Sequence, residues 1–180
     1  QRQLADRPAL APDALWLAGV HFGDALSLTP EATAVLAPRG EITTSGDLVG
    51  TTASLAGLDE RADGSRAEDR VVTAHALALS IGGLPQLMLG DEVGQLNDPT
   101  YADDPARRAN PLWLQRGHRP RDRYAARGDV MTPAGRIYRR LRRFILARQS
   151  LPLLAGTDLV GFEVPHPAVV GFQRLSEGPD

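Results

Sequence analysis

The chain has 180 residues, and its 42% of hydrophobic residues provide enough apolar material for the core of an ordinary domain. With 20 Lys and Arg residues against 22 Asp and Glu, the net charge of −2 gives no reason to expect nucleic acid or an anionic membrane as partner. The sequence has no cysteine, no apolar run near the ~20 residues of a bilayer span, and no signal-like segment in its first twelve residues, so we expect a cytoplasmic protein without membrane contact.

The first predicted element is a buried strand. Residues 13–22 read DALWLAGVHF, a short apolar run that ends in polar residues and is typical of a strand covered on both faces. A helix is then predicted, because Thr29 suits the N-cap and Pro30 the first helical position. It ends at residues 38–40, and residues 53–58 form at most a short helical turn after a loop.

A second helix is predicted from Glu68 to Ile81, with a buried face that carries His75 as a core residue. Gly82 and Gly83 end this helix. The run from Leu84 to Leu89 follows directly and is short and apolar, which predicts a buried strand. A helix followed at once by a buried strand is the order found in parallel α/β folds.

The polar stretch from Asn97 to Asp129 contains four prolines but also aromatic and Arg residues, so we expect a long, ordered and functional loop. The strongest predicted helix begins at Thr132-Pro133 and runs to about Gln149. Its buried stripe is predicted to be Ile137, Leu141, Phe144 and Ile145, and its outward-facing arginines to be Arg136, Arg139, Arg140 and Arg143. Without an aromatic stacking platform, this basic face indicates a solvated or interdomain surface rather than a nucleic-acid interface.

Two alternating runs close the chain, from Leu159 to Val164 and from Ala168 to Gln173, and they flank a Pro-His-Pro turn. This pattern predicts an antiparallel hairpin. Because the architecture changes here, we expect one domain over residues 1–151 and the beginning of a second over residues 152–180.

Three segments together resemble one family. They are SIGGLPQLMLGDEVGQLND at residues 80–98, GTTASLAGLDE at residues 50–60, and HRPR at residues 118–121 followed by TPAGRIYRRLRRFILARQS at residues 132–150. All three are similar to segments of amylosucrases, which belong to the α-amylase superfamily (glycoside hydrolase family 13), and they occur in the same order. The resemblance covers roughly residues 4–174.

The resemblance implies an α/β fold, namely the C-terminal part of a (β/α)8 TIM barrel followed by the start of a C-terminal antiparallel β-domain. Strand seven would lie near residues 14–20, helix seven would begin at Glu68, strand eight at Leu84 and helix eight at Pro133. Since such a barrel needs about 250 residues and this sequence starts at Gln1, we expect a piece of a longer protein.

The resemblance also implies a function. It indicates a retaining, sucrose-using α-glucosyltransferase or glycoside hydrolase that passes a glucosyl group to an α-glucan or to water, without cofactor or metal. The nucleophile and general acid of the family lie on strands four and five, which have no counterpart here. A second hypothesis stays open, namely a catalytically degenerate barrel segment, or an incomplete gene product, with a structural or glucan-binding role.

Candidate site residues follow from the same resemblance. Asp24, in the stretch HFGDAL, aligns with the family's transition-state-stabilising Asp, although Gly23 stands where the family has a His and Ala25 where it has a second Asp. The alternative for Asp24 is an ordinary loop residue near a helix start. His21 is a candidate donor to a sugar hydroxyl, or else bonds to backbone. Arg119 and Arg121 correspond to a segment whose Arg closes the glucosyl pocket, for which a bidentate guanidinium is suited. The alternative for both is an ordinary surface position.

Asp91 and Glu92 come directly after the predicted strand eight, at the barrel face where active sites are built. Because adjacent residues of a strand point to opposite sides, the two carboxylates are not expected to act as a facing catalytic pair. We expect a supporting role in which one carboxylate turns inward to a buried Arg or to backbone N–H groups, with direct sugar contact as the alternative. Trp113 and Tyr124 are candidates either for stacking on a sugar or for packing the loop.

Overall fold

The computed structural model describes residues 30–43, 47–59, 64–81, 84–156, 158–166 and 169–175. The predicted strand near residues 14–20 lies outside them. The helices are α1 (Pro30–Leu36), α2 (Thr52–Leu55), α3 (Gly64–Ser80), α4 (Arg121–Ala125) and α5 (Pro133–Ser150). The strands form two antiparallel pairs, β1 (Glu41–Ile42) with β2 (Leu48–Val49) and β3 (Leu159–Phe162) with β4 (Gly171–Arg174).

The core lies where α3 packs against α5. Val71 and Ile137 are completely buried there, and Leu141 is 1% exposed. Burial of each such side chain contributes about 1.5–3 kcal/mol relative to exposure. Both helices were predicted, although Phe144, expected in the buried stripe of α5, is 42% exposed. The stripe is therefore narrower than the pattern indicated.

The start of α5 is fixed by the cap that the sequence indicated. The hydroxyl of Thr132 accepts a hydrogen bond from the Gly135 N–H at 3.1 Å, and Pro133 occupies the first helical position. Pro133 has no backbone N–H, so this first position of the helix leaves no donor without a partner. The Thr132 cap satisfies one of the remaining free N–H groups of the first turn.

Two arginines of α5 were predicted to face away from the protein, but they contact acidic residues of α3. The Arg136 guanidinium donates to both carboxylate oxygens of Glu68 on α3, at 2.8 and 2.6 Å, and the Glu68 side chain is only 8% exposed. Arg140 binds Asp69 at 2.6 Å, but that carboxylate is 65% exposed. The prediction failed because the acids lie on another helix, 68 and 71 residues away in sequence. Part of the basic face is therefore neutralised by α3.

The segment from Leu84 to Leu89 is not a buried strand, and that prediction was wrong. Residues 84–88 have no regular secondary structure, Leu84 is 95% exposed and Leu89 is 75% exposed. A buried parallel strand needs paired strands on its edges, and both sheets of the described residues join other segments. No parallel strand pair occurs in the described ranges, so the barrel stays a prediction.

The long loop after residue 96 is ordered, as its aromatic content predicted. It contains short 3-10 helices at Pro99–Asp103, Pro111–Gln115 and Ala126–Gly128 as well as α4. Its three largest buried side chains are Tyr101, Leu114 and Tyr124.

Asn97 holds the base of this loop. Its side-chain oxygen accepts from the Thr51 N–H at 2.7 Å, and its amide nitrogen donates to the Arg39 carbonyl at 3.0 Å. Its own N–H donates to the buried Ser54 hydroxyl at 2.9 Å. Asn97 therefore ties the start of the loop to two other segments of the chain, the one at Arg39 and the one that carries Thr51 and Ser54.

The predicted C-terminal hairpin is present. Leu159 pairs with Arg174 and Phe162 with Gly171 in an antiparallel register. All four residues of β3 are exposed. A two-stranded hairpin with so little burial is marginally stable by itself, so it needs other contacts to persist.

Candidate functional site

Two of the predicted site residues, His21 and Asp24, lie outside the described residues. The other four, Arg119, Arg121, Asp91 and Glu92, belong to the long loop and to the turn that precedes it. The geometry of the site is therefore built from these two segments.

A tight turn carries the two carboxylates. Asp91 and Glu92 lie in a 3-10 turn rather than at the end of a strand, between Gly90 with φ +110° and Gly94 with φ +67°. A Cβ atom on Gly90 would lie 2.0 Å from the Oε1 of Gln95, so that position is restricted both by its backbone angle and by space. The backbone conformation of this turn therefore requires glycine at residue 90.

Glu92 joins this turn to α4. Its Oε2 accepts from the Gly90 N–H at 2.8 Å, and its Oε1 accepts from the Tyr124 hydroxyl at 2.6 Å. Burial, with a smaller contribution from the hydrogen bond to Glu92, raises the pKa of Tyr124 to about 12. Tyr124 therefore stays protonated and remains a donor over the physiological pH range.

Asp91 points to different partners. Its Oδ2 accepts from the Met88 N–H at 3.1 Å and lies 3.9 Å from the Nε2 of His75, a residue that is 4% exposed, as expected for the predicted core histidine. Burial raises the pKa of Asp91 to about 6. Both acids thus accept backbone N–H bonds, the arrangement predicted for one of them, and they bind different partners.

Arg119 lies on the other side of the Tyr124 ring. Its guanidinium carbon is 4.3 Å from the ring centroid, within the range of a cation–π contact. The side chain is exposed, and its N–H donors make no hydrogen bond or ion pair with any described residue. Arg119 therefore has an exposed guanidinium that contacts an aromatic ring through its face and binds no described residue through its donors.

Arg121 does not join this group. It is the first residue of α4 and is exposed, and among the described residues its side chain has no hydrogen bond or ion pair. Of the four residues, the structure brings Arg119 and Glu92 together through Tyr124, and it places Asp91 against His75.

A second arginine of the loop is also stacked on an aromatic ring. The Arg107 guanidinium lies 4.7 Å from the Trp113 centroid, but its Nε is 3.1 Å from the Oδ2 of Asp104. Trp113 itself packs against the cluster of Val49, Tyr101 and Leu114. Of the two predictions for Trp113, these contacts favour packing of the loop.

Sequence reasoning missed Gln95, which is 7% exposed and donates to the Gly117 carbonyl at 3.4 Å. The closely spaced Gly90 and Gly94 indicated a tight turn but gave no signal for the side chain packed inside it.

A separate apolar cavity of about 400 Å³ lies elsewhere, and no predicted site residue lines it. Its walls are Leu79, Pro85, Leu87, Ile145, Arg148, Gln149, Leu151, Pro152 and Ala155.

In the part of the chain that the structure describes, no three His, Asp or Glu side chains lie close enough together to hold a metal ion. Among the helices of these same ranges, none combines the length and the apolar character that a bilayer span needs. The site offers one exposed guanidinium, on Arg119, that is stacked on an aromatic ring. In a comparison with models of known protein families, none matches this chain.

Proposed function

We propose that this chain is the C-terminal part of an amylosucrase-like α-glucosyltransferase or glycoside hydrolase, a retaining, sucrose-using enzyme of carbohydrate metabolism. The observation that carries the proposal is the state of Arg119, whose guanidinium is exposed, stacked on Tyr124 and bonded to no described residue. This Arg belongs to the HRPR segment by which the chain resembles that family.

A guanidinium with available donors binds a carboxylate through two parallel hydrogen bonds. In the proposed enzyme Arg119 makes this contact with an acid on another part of the barrel, and the pair closes a pocket that admits one glucosyl unit. Asp24 stabilises the positive charge of the transition state, and His21 donates to a sugar hydroxyl. Arg121, exposed nearby, contributes to the rim of the same pocket. No cofactor is needed.

The exposed apolar segment at residues 84–89 supports the barrel part of the proposal. Leu84, Met88 and Leu89 are more than half exposed in a run of six residues, and contiguous apolar surface of this kind marks a contact region. In the proposed barrel this apolar surface contacts other parts of the enzyme, and Asp91 and Glu92 follow it at the face that carries the active site. We place the enzyme in the cytoplasm because the sequence has no cysteine.

The test is fructose release from sucrose by the full-length protein that carries this chain. Replacement of Asp24 by Asn is expected to lower kcat by roughly 100-fold or more, because a charge-stabilising group is lost from the transition state. Arg119→Ala is expected to raise KM for sucrose about tenfold, since one charge-assisted contact is lost. Arg108→Ala, at another exposed Arg of the same loop, is the matched control and should leave both constants unchanged.

The alternative, a catalytically degenerate segment with a structural or glucan-binding role, is favoured by a different observation. The carboxylates of Asp91 and Glu92 already bind backbone N–H groups and Tyr124, so they serve the local structure. This alternative predicts that the full-length protein releases no fructose but is still retarded in a native gel containing soluble α-glucan. Measurable sucrose cleavage contradicts it.

A further inference from the structure

The contacts around Tyr124 form a continuous series. Gly90 donates its N–H to Glu92, Tyr124 donates its hydroxyl to the same carboxylate, and Arg119 lies on the Tyr124 ring. The series begins at a backbone position that only glycine occupies without strain and ends at an exposed cation. Each member thus fixes the position of the next.

The two stacked arginines of the loop differ in one respect. Arg107 is stacked and also ion-paired through its Nε with Asp104 three residues earlier, so it already has a local carboxylate partner. Arg119 is stacked on a ring whose hydroxyl is hydrogen-bonded to Glu92, while its own donors bind none of the described residues. Only the second arrangement orients a guanidinium for a group that arrives from outside.

We propose that Tyr124 is a positioning residue, which is held by Glu92 and orients the Arg119 guanidinium for the glucosyl-binding pocket. This inference rests on the proposed function and assigns within it a role that reaches the substrate only through Arg119. An exposed Arg samples many rotamers, and all but one are lost when it binds. Stacking on the Tyr124 ring removes part of that cost before Arg119 pairs with the carboxylate that closes the pocket.

The hydroxyl of Tyr124 contributes because its hydrogen bond to Glu92 restricts the position of the ring on which Arg119 stacks. The side chain is 9% exposed, and its bond to Glu92 is 2.6 Å long. Because the pKa of Tyr124 is raised to about 12, the donor is present at every pH at which the protein is assayed. The positioning effect is therefore expected to be independent of pH between 6 and 9.

The first test is a set of KM values for sucrose in the full-length protein. Tyr124→Leu is expected to raise KM roughly three- to fivefold with little change in kcat, the fold-change of one exposed cation–π contact. Tyr124→Phe keeps the ring but loses the bond to Glu92, and we expect a smaller rise. Arg107→Ala is the matched control and should leave KM unchanged.

The double variant of Tyr124→Leu with Arg119→Ala separates positioning from a general structural effect. If Tyr124 acts only through Arg119, the double variant has the same KM as Arg119→Ala alone. A further rise in KM in the double variant, or an unchanged KM in Tyr124→Leu, would overturn the inference.

A second measurement does not depend on sucrose. In the NMR spectrum of the protein, the Nε–Hε resonance of Arg119, identified by its loss in Arg119→Lys, should show an upfield ring-current shift. The shift should persist in part in Tyr124→Phe and disappear in Tyr124→Leu. If the protein releases no fructose, the proposed function fails, and this shift still decides whether Tyr124 positions Arg119. Its absence from the wild-type spectrum refutes that role.

Discussion

Two apolar regions of the molecule differ in burial, one being buried and the other exposed. Where α3 meets α5, Val71, Ile137 and Leu141 are at most 1% exposed, whereas Leu84 and Leu89, only a few residues beyond the end of α3, are 95% and 75% exposed. A helix satisfies its backbone hydrogen bonds within itself and needs only one apolar face to pack against. A strand needs neighbouring backbones as well. Apolar composition therefore does not by itself determine burial.

The largest expected effect lies on the buried side of this comparison. Ile137→Ala should lower the free energy of unfolding by about 3 kcal/mol, because it removes buried methyl groups and leaves a cavity. The measurement is urea unfolding followed by circular dichroism. Phe144→Ala on the same helix is the control, and it should cost about 1 kcal/mol or less, since this ring is 42% exposed. Equal losses in the two variants would show that α5 packs through another face.

An intermediate effect is expected at the turn that connects the exposed segment to the rest of the protein. Burial raises the pKa of Asp91 from 3.8 to about 6, so between these values the folded state binds more protons than the unfolded state. The free energy of unfolding should therefore fall as pH rises through this window, by about 1–3 kcal/mol.

Comparison with Asp91→Asn isolates this contribution, because His75 and Glu92 are unchanged in the variant. The Asn side chain keeps an oxygen that can accept from the Met88 N–H. We expect the difference in stability between variant and wild type to grow from pH 4 to pH 6 and then to become constant. Parallel profiles across this range would rule out a raised pKa at Asp91.

The smallest effect on stability is expected on the exposed side of the comparison. The double variant Leu84→Ser with Leu89→Ser should change the free energy of unfolding by no more than about 0.5 kcal/mol, since neither side chain is buried. It should lower any self-association seen by analytical ultracentrifugation, because the exposed apolar surface is reduced. A loss above about 1 kcal/mol would mean that these side chains are buried in solution.

Two helices and the C-terminal hairpin could be predicted because their signals are local. The predicted helix from Glu68 to Ile81 corresponds to α3, and the predicted helix that begins after Thr132 corresponds to α5. Both could be predicted because helical periodicity and capping residues lie within a few turns of sequence. The C-terminal hairpin was predicted for the same reason, since its two alternating runs flank one short turn. The strand prediction at residues 84–89 failed because a strand depends on partners that a local pattern does not contain.

The candidate site was less predictable because its contacts join distant positions. The HRPR segment indicated Arg119, but no local pattern indicated that Tyr124 would bind Glu92, 32 residues earlier. The pairing of Arg136 with Glu68 spans 68 residues and was missed for the same reason. Residue type and position along the chain indicated the participants, whereas the partners follow only from tertiary structure.

Asn97, at the base of the long loop, has a consequence for how that loop can change. Its side chain is hydrogen-bonded to Thr51 and Arg39 and its N–H to Ser54, so the start of the loop is tied to two other segments of the chain. Insertions or exchanges at the exposed positions near residues 105–110 would then alter the loop without shifting α2. The loop is in this sense a graftable module, and Asn97 is the anchor that would have to be retained with it.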